Sequence, residues 1–255
     1  MRRKPTVSLL PLLWLGLSTA AGGAELSVFV TGSMADPFEE LGEDFTHETG
    51  HTLQFSSATT GGLLAKIGAG ERADVVVITA EAAATLEQRG TLLAGTRTPV
   101  ASSLFGVVVK AGAPLPDVST PEALKQTVLR ARTISYPDPL TATVSGGYIE
   151  SVFDGLGIKD AARSKAALKP MGYLVGEAVE NGEAELGLSF MSEFTADEDL
   201  AVVSFPAELQ KPQLYSIGVF AESANADAAR AFIAFVTSPA ARAKLTAAGV
   251  VPAGR

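Results

Sequence analysis

Cysteine is absent from this 255-residue chain, histidine occurs twice and tryptophan once. Without cysteine there can be no disulfide, no thiol nucleophile and no thiolate metal site. His47 and His51 alone are too few for a histidine-based metal centre, and flanking Gly50 at a helix end they read as surface or capping residues. The glycine-rich stretches lack the lysine of a phosphate-binding loop and the spacing of a dinucleotide fingerprint, so no metal and no cofactor is expected. Basic residues are also scarce. Beyond residue 24 the chain has 17 lysines and arginines against 28 aspartates and glutamates, a net charge of −11. That balance, without a basic cluster, argues against nucleic acid or an anionic membrane as a partner. It also requires an anionic ligand to be met by local N–H and hydroxyl groups instead of an overall positive field.

Long apolar runs are missing except at the start. Arg2, Arg3 and Lys4, the apolar stretch Val7–Ala20 and the small residues Gly22-Gly23-Ala24 have the layout of a secretory signal peptide over 1–24. Cleavage is expected after Ala24, with Ala21 as the alternative site. The run falls short of the ~20 residues needed to cross a bilayer, and Pro11 interrupts it. No cysteine follows to carry a lipid. The expected location is the periplasm.

After the leader, short β-branched runs alternate with amphipathic segments, the pattern of an α/β fold. Strands are expected at 26–31, 52–57, 74–79, 104–110, 133–136, 186–190, 201–205 and 214–220. Val75-Val76-Val77-Ile78 is apolar on both faces, as in a buried parallel sheet. Helical spacing of Met34, Phe38, Leu41 and Phe45 makes Ser33 a candidate N-cap. Ser119-Thr120-Pro121-Glu122 is a second helix start, and 226–236 with 239–248 forms a closing helical pair. The extended stretches 102–111 and 213–222 suggest crossings between two lobes, one comprising 25–102 plus 217–255 and the other 103–216.

Four segments place hydroxyls and glycines where a strand gives way to a helix. Val30-Thr31-Gly32-Ser33-Met34 and Ser57-Ala58-Thr59-Thr60-Gly61-Gly62 lie in the first lobe. The stretch from Asp138 through Ser145, Gly146 and Gly147, leading into a helix expected from Tyr148 to Leu156, and Phe190-Met191-Ser192-Glu193, lie in the second. Ligands of open α/β sheets bind beyond the carboxyl ends of the strands, where all four fall. Free N–H groups at helix starts, with neighbouring hydroxyls, make a seat for a small anion. Gly32, Ser33, Thr59, Thr60, Gly61, Ser145, Gly146 and Phe190 are the expected binding residues. The acidic runs Asp36–Asp44 and Glu177–Glu185 read as solvated helix faces.

These residues resemble a known family. Gly32-Ser33, then Thr59-Thr60-Gly61-Gly62-Leu63-Leu64-Ala65-Lys66-Ile67, then Gly70-Glu71-Arg72-Ala73-Asp74-Val75-Val76 look like the molybdate-binding, type II periplasmic solute-binding proteins. Gly182–Leu188 and Phe232–Pro252, with its Thr237-Ser238-Pro239 break, extend the likeness over the whole mature chain. The resemblance implies two α/β lobes, each a mixed, mainly parallel sheet flanked by helices, joined by crossing strands. It further implies a monomer that captures a small oxyanion or carboxylate and delivers it to an ABC permease of the inner membrane. By position, Ser33 and Thr60 match hydroxyl donors, Ser145 a second-lobe donor and Gly172 a backbone donor, while Phe190 replaces a family tyrosine. The stretches Gly182–Glu185, Ser192-Glu193 and Phe205–Gln210 also resemble a branch of the superfamily, the periplasmic aconitate isomerases. Such an enzyme moves an allylic proton and needs a base, for which Tyr148, Glu150, Glu193 and Asp138 are candidates.

Overall fold

The computed structural model describes residues 23–254 except Ala142 and Ala196, so all but the end of the expected leader lies outside the described residues. The chain opens with strand β1 (Glu25–Thr31), a single 3-10 turn (Gly32–Met34) and helix α1 (Ala35–Thr49). β2 (Thr52–Ala58), α2 (Thr60–Gly68), β3 (Val75–Thr79) and α3 (Ala80–Gln88) follow as a repeating β/α run. β4 (Thr98–Ser103) leads through Leu104 into β5 (Phe105–Lys110). The second half of the fold adds α4 (Pro121–Arg130), β6 (Ile134–Pro137), α5 (Val144–Gly155), α6 (Lys159–Arg163) and β7 (Ala166–Lys169). It continues with α7 (Tyr173–Glu180), β8 (Leu186–Phe190), a 3-10 turn (Met191–Glu193) and β9 (Leu200–Ser204). The chain then returns through β10 (Gln213–Val219), α8 (Ala226–Val236), α9 (Pro239–Ala247) and β11 (Val250–Pro252).

Two mixed sheets result, ordered β11-β4-β10-β3-β1-β2 and β7-β6-β8-β5-β9. Parallel pairing joins β2-β1-β3 in one and β7-β6-β8 in the other, and the crossing strands β10 and β5 run antiparallel to their neighbours. Ser103 and the whole of β10 from Gln213 pair in the first sheet. By sheet membership the chain passes between the two sheets at Leu104 and again within 205–212. Gln210 pins the return: its Nε2 donates to the Phe105 carbonyl at 2.7 Å and its Oε1 accepts from the Phe105 N–H at 3.0 Å.

Alternation along the strands explains the layers. In β3, Val75 and Val77 face Phe38, Leu41, Phe45 and Phe232 of α1 and α8. Val76 and Ile78 face Leu63, Ile67 and Leu86 of α2 and α3 on the other side. The second sheet is covered likewise, by Leu124, Ile149 and Phe153 on one face and by Val175 and Val179 of α7 on the other. Each such buried side chain contributes about 1.5–3 kcal/mol, and both sheets are covered twice, so their strand ends are the surfaces left for a ligand.

Two expected element starts move. Ser33 does not cap α1: it lies in the 3-10 turn, Met34 holds the cap position and no side chain bonds there. α5 begins at Val144, four residues before the expected Tyr148, so Ser145 and Gly146 sit in its first turn. Poor helix formers had marked that turn as loop, but tertiary packing overrides propensity. A Cβ on Gly146 would collide with the Pro137 carbonyl, so the glycine lets the helix start close against β6.

Asp74, at the entry to β3, ties three segments. Its carboxylate accepts from Ser27 N (2.8 Å), Ser27 Oγ (2.9 Å), Ser223 Oγ (2.6 Å) and Asn225 Nδ2 (3.3 Å). Burial alone would raise its pKa, but these donors outweigh burial and hold it below the usual aspartate value. A lowered folded pKa gives stability that is present at neutral pH and lost as pH falls below about 4. Asp74→Ala is expected to cost about 1.5–3 kcal/mol in urea unfolding at pH 7, with the gap to the parent narrowing in acid. Parallel pH–stability curves for the two proteins would contradict this.

Candidate functional site

Where the carboxyl ends of β1, β2 and β8 meet the starts of α2, α5 and α7, the two halves enclose a cavity of about 30 Å³. On that scale a single water takes roughly 10–15 Å³, so the space suits a ligand of a few heavy atoms. Its walls are Thr31, Gly32, Ser33, Thr59, Thr60 and Tyr215 from one half, and Thr143, Val144, Ser145, Met171, Gly172, Phe190 and Glu193 from the other.

Each wall follows from local structure. The first four N–H groups of any helix have no partner within it. At α2, Thr59 Oγ1 satisfies only Gly62 N, at 3.0 Å. At α5, Thr143 is the cap residue, but its hydroxyl bonds the Asp138 carbonyl at 3.1 Å and no side chain caps the helix. At α7 the cap is Gly172, again without a side-chain bond. The starts of α5 and α7, which no side chain caps, thus lie at the cavity with the positive ends of their dipoles, and the hydroxyl-bearing residues Thr60, buried Ser33 and buried Ser145 line it beside them. No lysine, arginine or histidine lines it among the described residues.

Beneath the cavity runs a buried chain of hydroxyls. Ser103 Oγ lies 2.6 Å from Ser192 Oγ, Ser192 Oγ donates to the Ser33 carbonyl at 2.8 Å, and Ser33 Oγ lies 2.8 Å from the Tyr215 hydroxyl. The chain joins the crossing at Leu104 to the turn after β8 and the turn after β1. Burial, with Glu193 nearby, raises the Tyr215 pKa strongly despite the Ser33 bond, so the phenol keeps its proton. When Tyr215 donates that proton to Ser33 Oγ, the serine's own O–H is free to point at a ligand.

Of the residues singled out in the sequence, Gly32, Ser33, Thr59, Thr60, Ser145, Gly172 and Phe190 line the cavity. Gly61 and Gly146 do not. Gly61 lies in the first turn of α2 and Gly146 is packed against β6. Of the candidate bases, only Glu193 reaches the cavity. Tyr148 donates to the Leu209 carbonyl at 2.9 Å and stacks near Phe105, with ring centroids 4.5 Å apart. Glu150 is paired with Arg163 and Lys159 and accepts from Tyr136. Asp138 caps its own turn through Leu140 N at 3.0 Å. Tyr215 and Met171 were not expected. Tyr215 lies on a strand assigned by pattern alone, and Met171, whose methyl would touch a Cβ on Gly32, has no sequence signal.

Glu193 is the exception among neutral donors. Burial pushes its carboxyl up to about 7, aided by Asp36 and only partly offset by bonds from Ser189 and the Phe190 backbone. Gly172 makes room for it, since any Cβ there would collide with both carboxylate oxygens.

Residues 26–251 match the family described as bacterial extracellular solute-binding protein. An aconitate isomerase from a Pseudomonas species is 29% identical over 259 residues, covering 98% of this chain and 97% of that protein. The molybdate-binding protein ModA of Azotobacter vinelandii is 26% identical over 244 residues, covering 91% and 92%. Among solved structures, the periplasmic molybdate-binding protein of Azotobacter vinelandii superposes with a TM-score of 0.73 at 22% identity, covering 89% of this chain and 98% of that one. The sulfate-binding protein SubI of Mycobacterium tuberculosis gives 0.69 at 19% identity, covering 90% and 87%. These likenesses show the two-lobed type II fold.

The Ser33–Tyr215 bond is open to a double-mutant cycle. Ser33→Ala and Tyr215→Phe are each expected to lower stability by about 1 kcal/mol, and the double variant by clearly less than their sum. Strict additivity in urea titrations would mean that the two hydroxyls are not bonded in solution.

Proposed function

We propose a function for this chain from the premise that it belongs to the bacterial extracellular solute-binding proteins. It captures a small oxyanion, or a small carboxylate, in the periplasm and delivers it to an ABC permease of the inner membrane. The observation that carries this reading is the convergence of two helix starts without side-chain caps, and the hydroxyls of Ser33, Thr60 and Ser145, on one cavity. Charge-assisted bonds from such donors contribute about 1.5–3 kcal/mol each, enough for tight binding from a handful.

The cavity size favours a compact anion. Its donors come from both halves, so ligand holds closed the two lobes, 25–103 plus 213–255 and 105–204 by sheet membership. Lobe closure is then the signal that a permease can read. The similarity to ModA supports molybdate or an ion of its shape as the first candidate.

A second reading, allylic isomerisation of a tricarboxylate, is favoured by Glu193 and by the likeness to an aconitate isomerase. Glu193 would remove a proton from the methylene carbon and return it to the far end of the allylic system, leaving the enzyme unchanged. A tricarboxylate needs more room than this cavity offers, which places this reading second.

Titration calorimetry against molybdate, tungstate, sulfate, phosphate and small carboxylates tests the first reading. At least one should bind at micromolar concentration or better, and Thr60→Ala should weaken it about 10–100-fold. No heat from any of them at millimolar concentration would sink it. Incubation with trans-aconitate tests the second: formation of the cis isomer that disappears in Glu193→Gln would establish it, and no turnover at high protein concentration would remove it.

A further inference from the structure

A carboxyl group on the wall of a site built for anions calls for an explanation. Glu193 is held at this wall: Ser189 Oγ donates to its Oε2 and both its oxygens lie against Gly172. Its other side faces a surface cleft shared with Asp36 of α1, Tyr173, Glu177 and Glu180 of α7, and Asp197 and Glu198 beyond the turn. Tyr215 of β10 faces it across the cavity. Every titratable group around Glu193 is thus an acid or a phenol, and no cation lines either cavity among the described residues.

An anion entering the cavity would meet a second negative charge with no cation between them. Like charges at such range cannot both persist in a partly buried site, and the weaker acid takes up a proton. A proton between the carboxyl and a ligand oxygen turns the repulsion into a charge-assisted hydrogen bond. We propose that Glu193 shares one proton with the bound anion, so that, where the free carboxyl is ionised, the site takes up a proton with each fully deprotonated oxyanion it captures. A ligand that already carries a proton would bring it instead, donating to the ionised carboxylate. The inference rests on the anion-receptor reading above and gives that site its rule of selection: the complex holds one anion and one proton.

The linkage has a definite sign. Burial and acidic neighbours already lift Glu193 to about 7 in the free protein, and the anion lifts it further. Affinity for a fully deprotonated anion is therefore greatest below about pH 7 and falls as pH rises above it, by up to tenfold per unit.

Calorimetry with molybdate and, in parallel, sulfate, from about pH 6 to about pH 9 in two buffers of different protonation heat, tests this. In the unaltered protein the dissociation constant should climb up to tenfold per unit above about pH 7, with uptake approaching one proton per anion. Glu193→Gln should flatten the profile and abolish the uptake, and the unaltered protein's proton count stands by itself if that variant does not fold. A pH-independent constant without proton uptake overturns the inference while leaving the receptor reading intact, as does a slope that survives in Glu193→Gln. Failure of both probes to bind at any pH also overturns it, and the wider anion panel then decides whether the receptor reading falls too.

Discussion

Any negative charge that enters this cavity has to be held without a cation on its walls. The chain has 28 acidic and 20 basic residues, and cations such as Lys244, Arg97 and Lys169 are occupied by Glu40 and Asp44, Glu87 and Glu183 on the surface. What remains for the cavity is the backbone itself. A helix start carries roughly half a unit of positive charge, so α5 and α7 together approach the charge of a monovalent cation without the desolvation cost of burying one. That arrangement requires strands that end together, helices that begin at the same place and side chains that leave the first N–H groups unbonded. Much of the fold can be understood as meeting those conditions.

The buried hydroxyl chain Ser103–Ser192–Ser33–Tyr215 links the site to the crossings between sheets. It fixes the turn after β1 against the turn after β8, the two turns that carry Ser33 and Glu193. Tyr215 lies on β10, the strand by which the chain re-enters the first sheet, so lobe position and donor position are set by the same residues. Glu193 alone breaks the pattern of neutral donors, and Gly172 exists in a form that admits it.

The α/β class, the alternation of strands and helices and the hydroxyl loops were legible because they rest on local chemistry. Val75–Ile78 reads as a doubly covered strand from its composition, and it is fully buried. The Ser119-Thr120 hydroxyls ahead of Pro121 read as a helix start, and Thr120 accepts from Ala123 N. Other features were not legible because their cause is tertiary. β4 carries Pro99 and small residues, β7 is a half-buried edge and β11 has three residues, so none shows a clear period. Ser33 looked like a cap until Tyr215, 182 positions away, claimed its hydroxyl. Tyr148 and Glu150 carried the right chemistry for a base, but helix α5 turns one toward Leu209 and the other toward Arg163. Spacing along a chain does not reveal such choices.

A crystal grown with molybdate would test the central claim most directly, since anomalous scattering locates the metal atom without reference to any prior assignment. Bound oxygens within hydrogen-bonding distance of Ser33, Thr60 and the first N–H groups of α5, with no lysine or arginine in contact, would agree with an anion held by neutral dipoles from both lobes. Molybdenum found only on surface cations, with the cavity between the lobes empty, would contradict it.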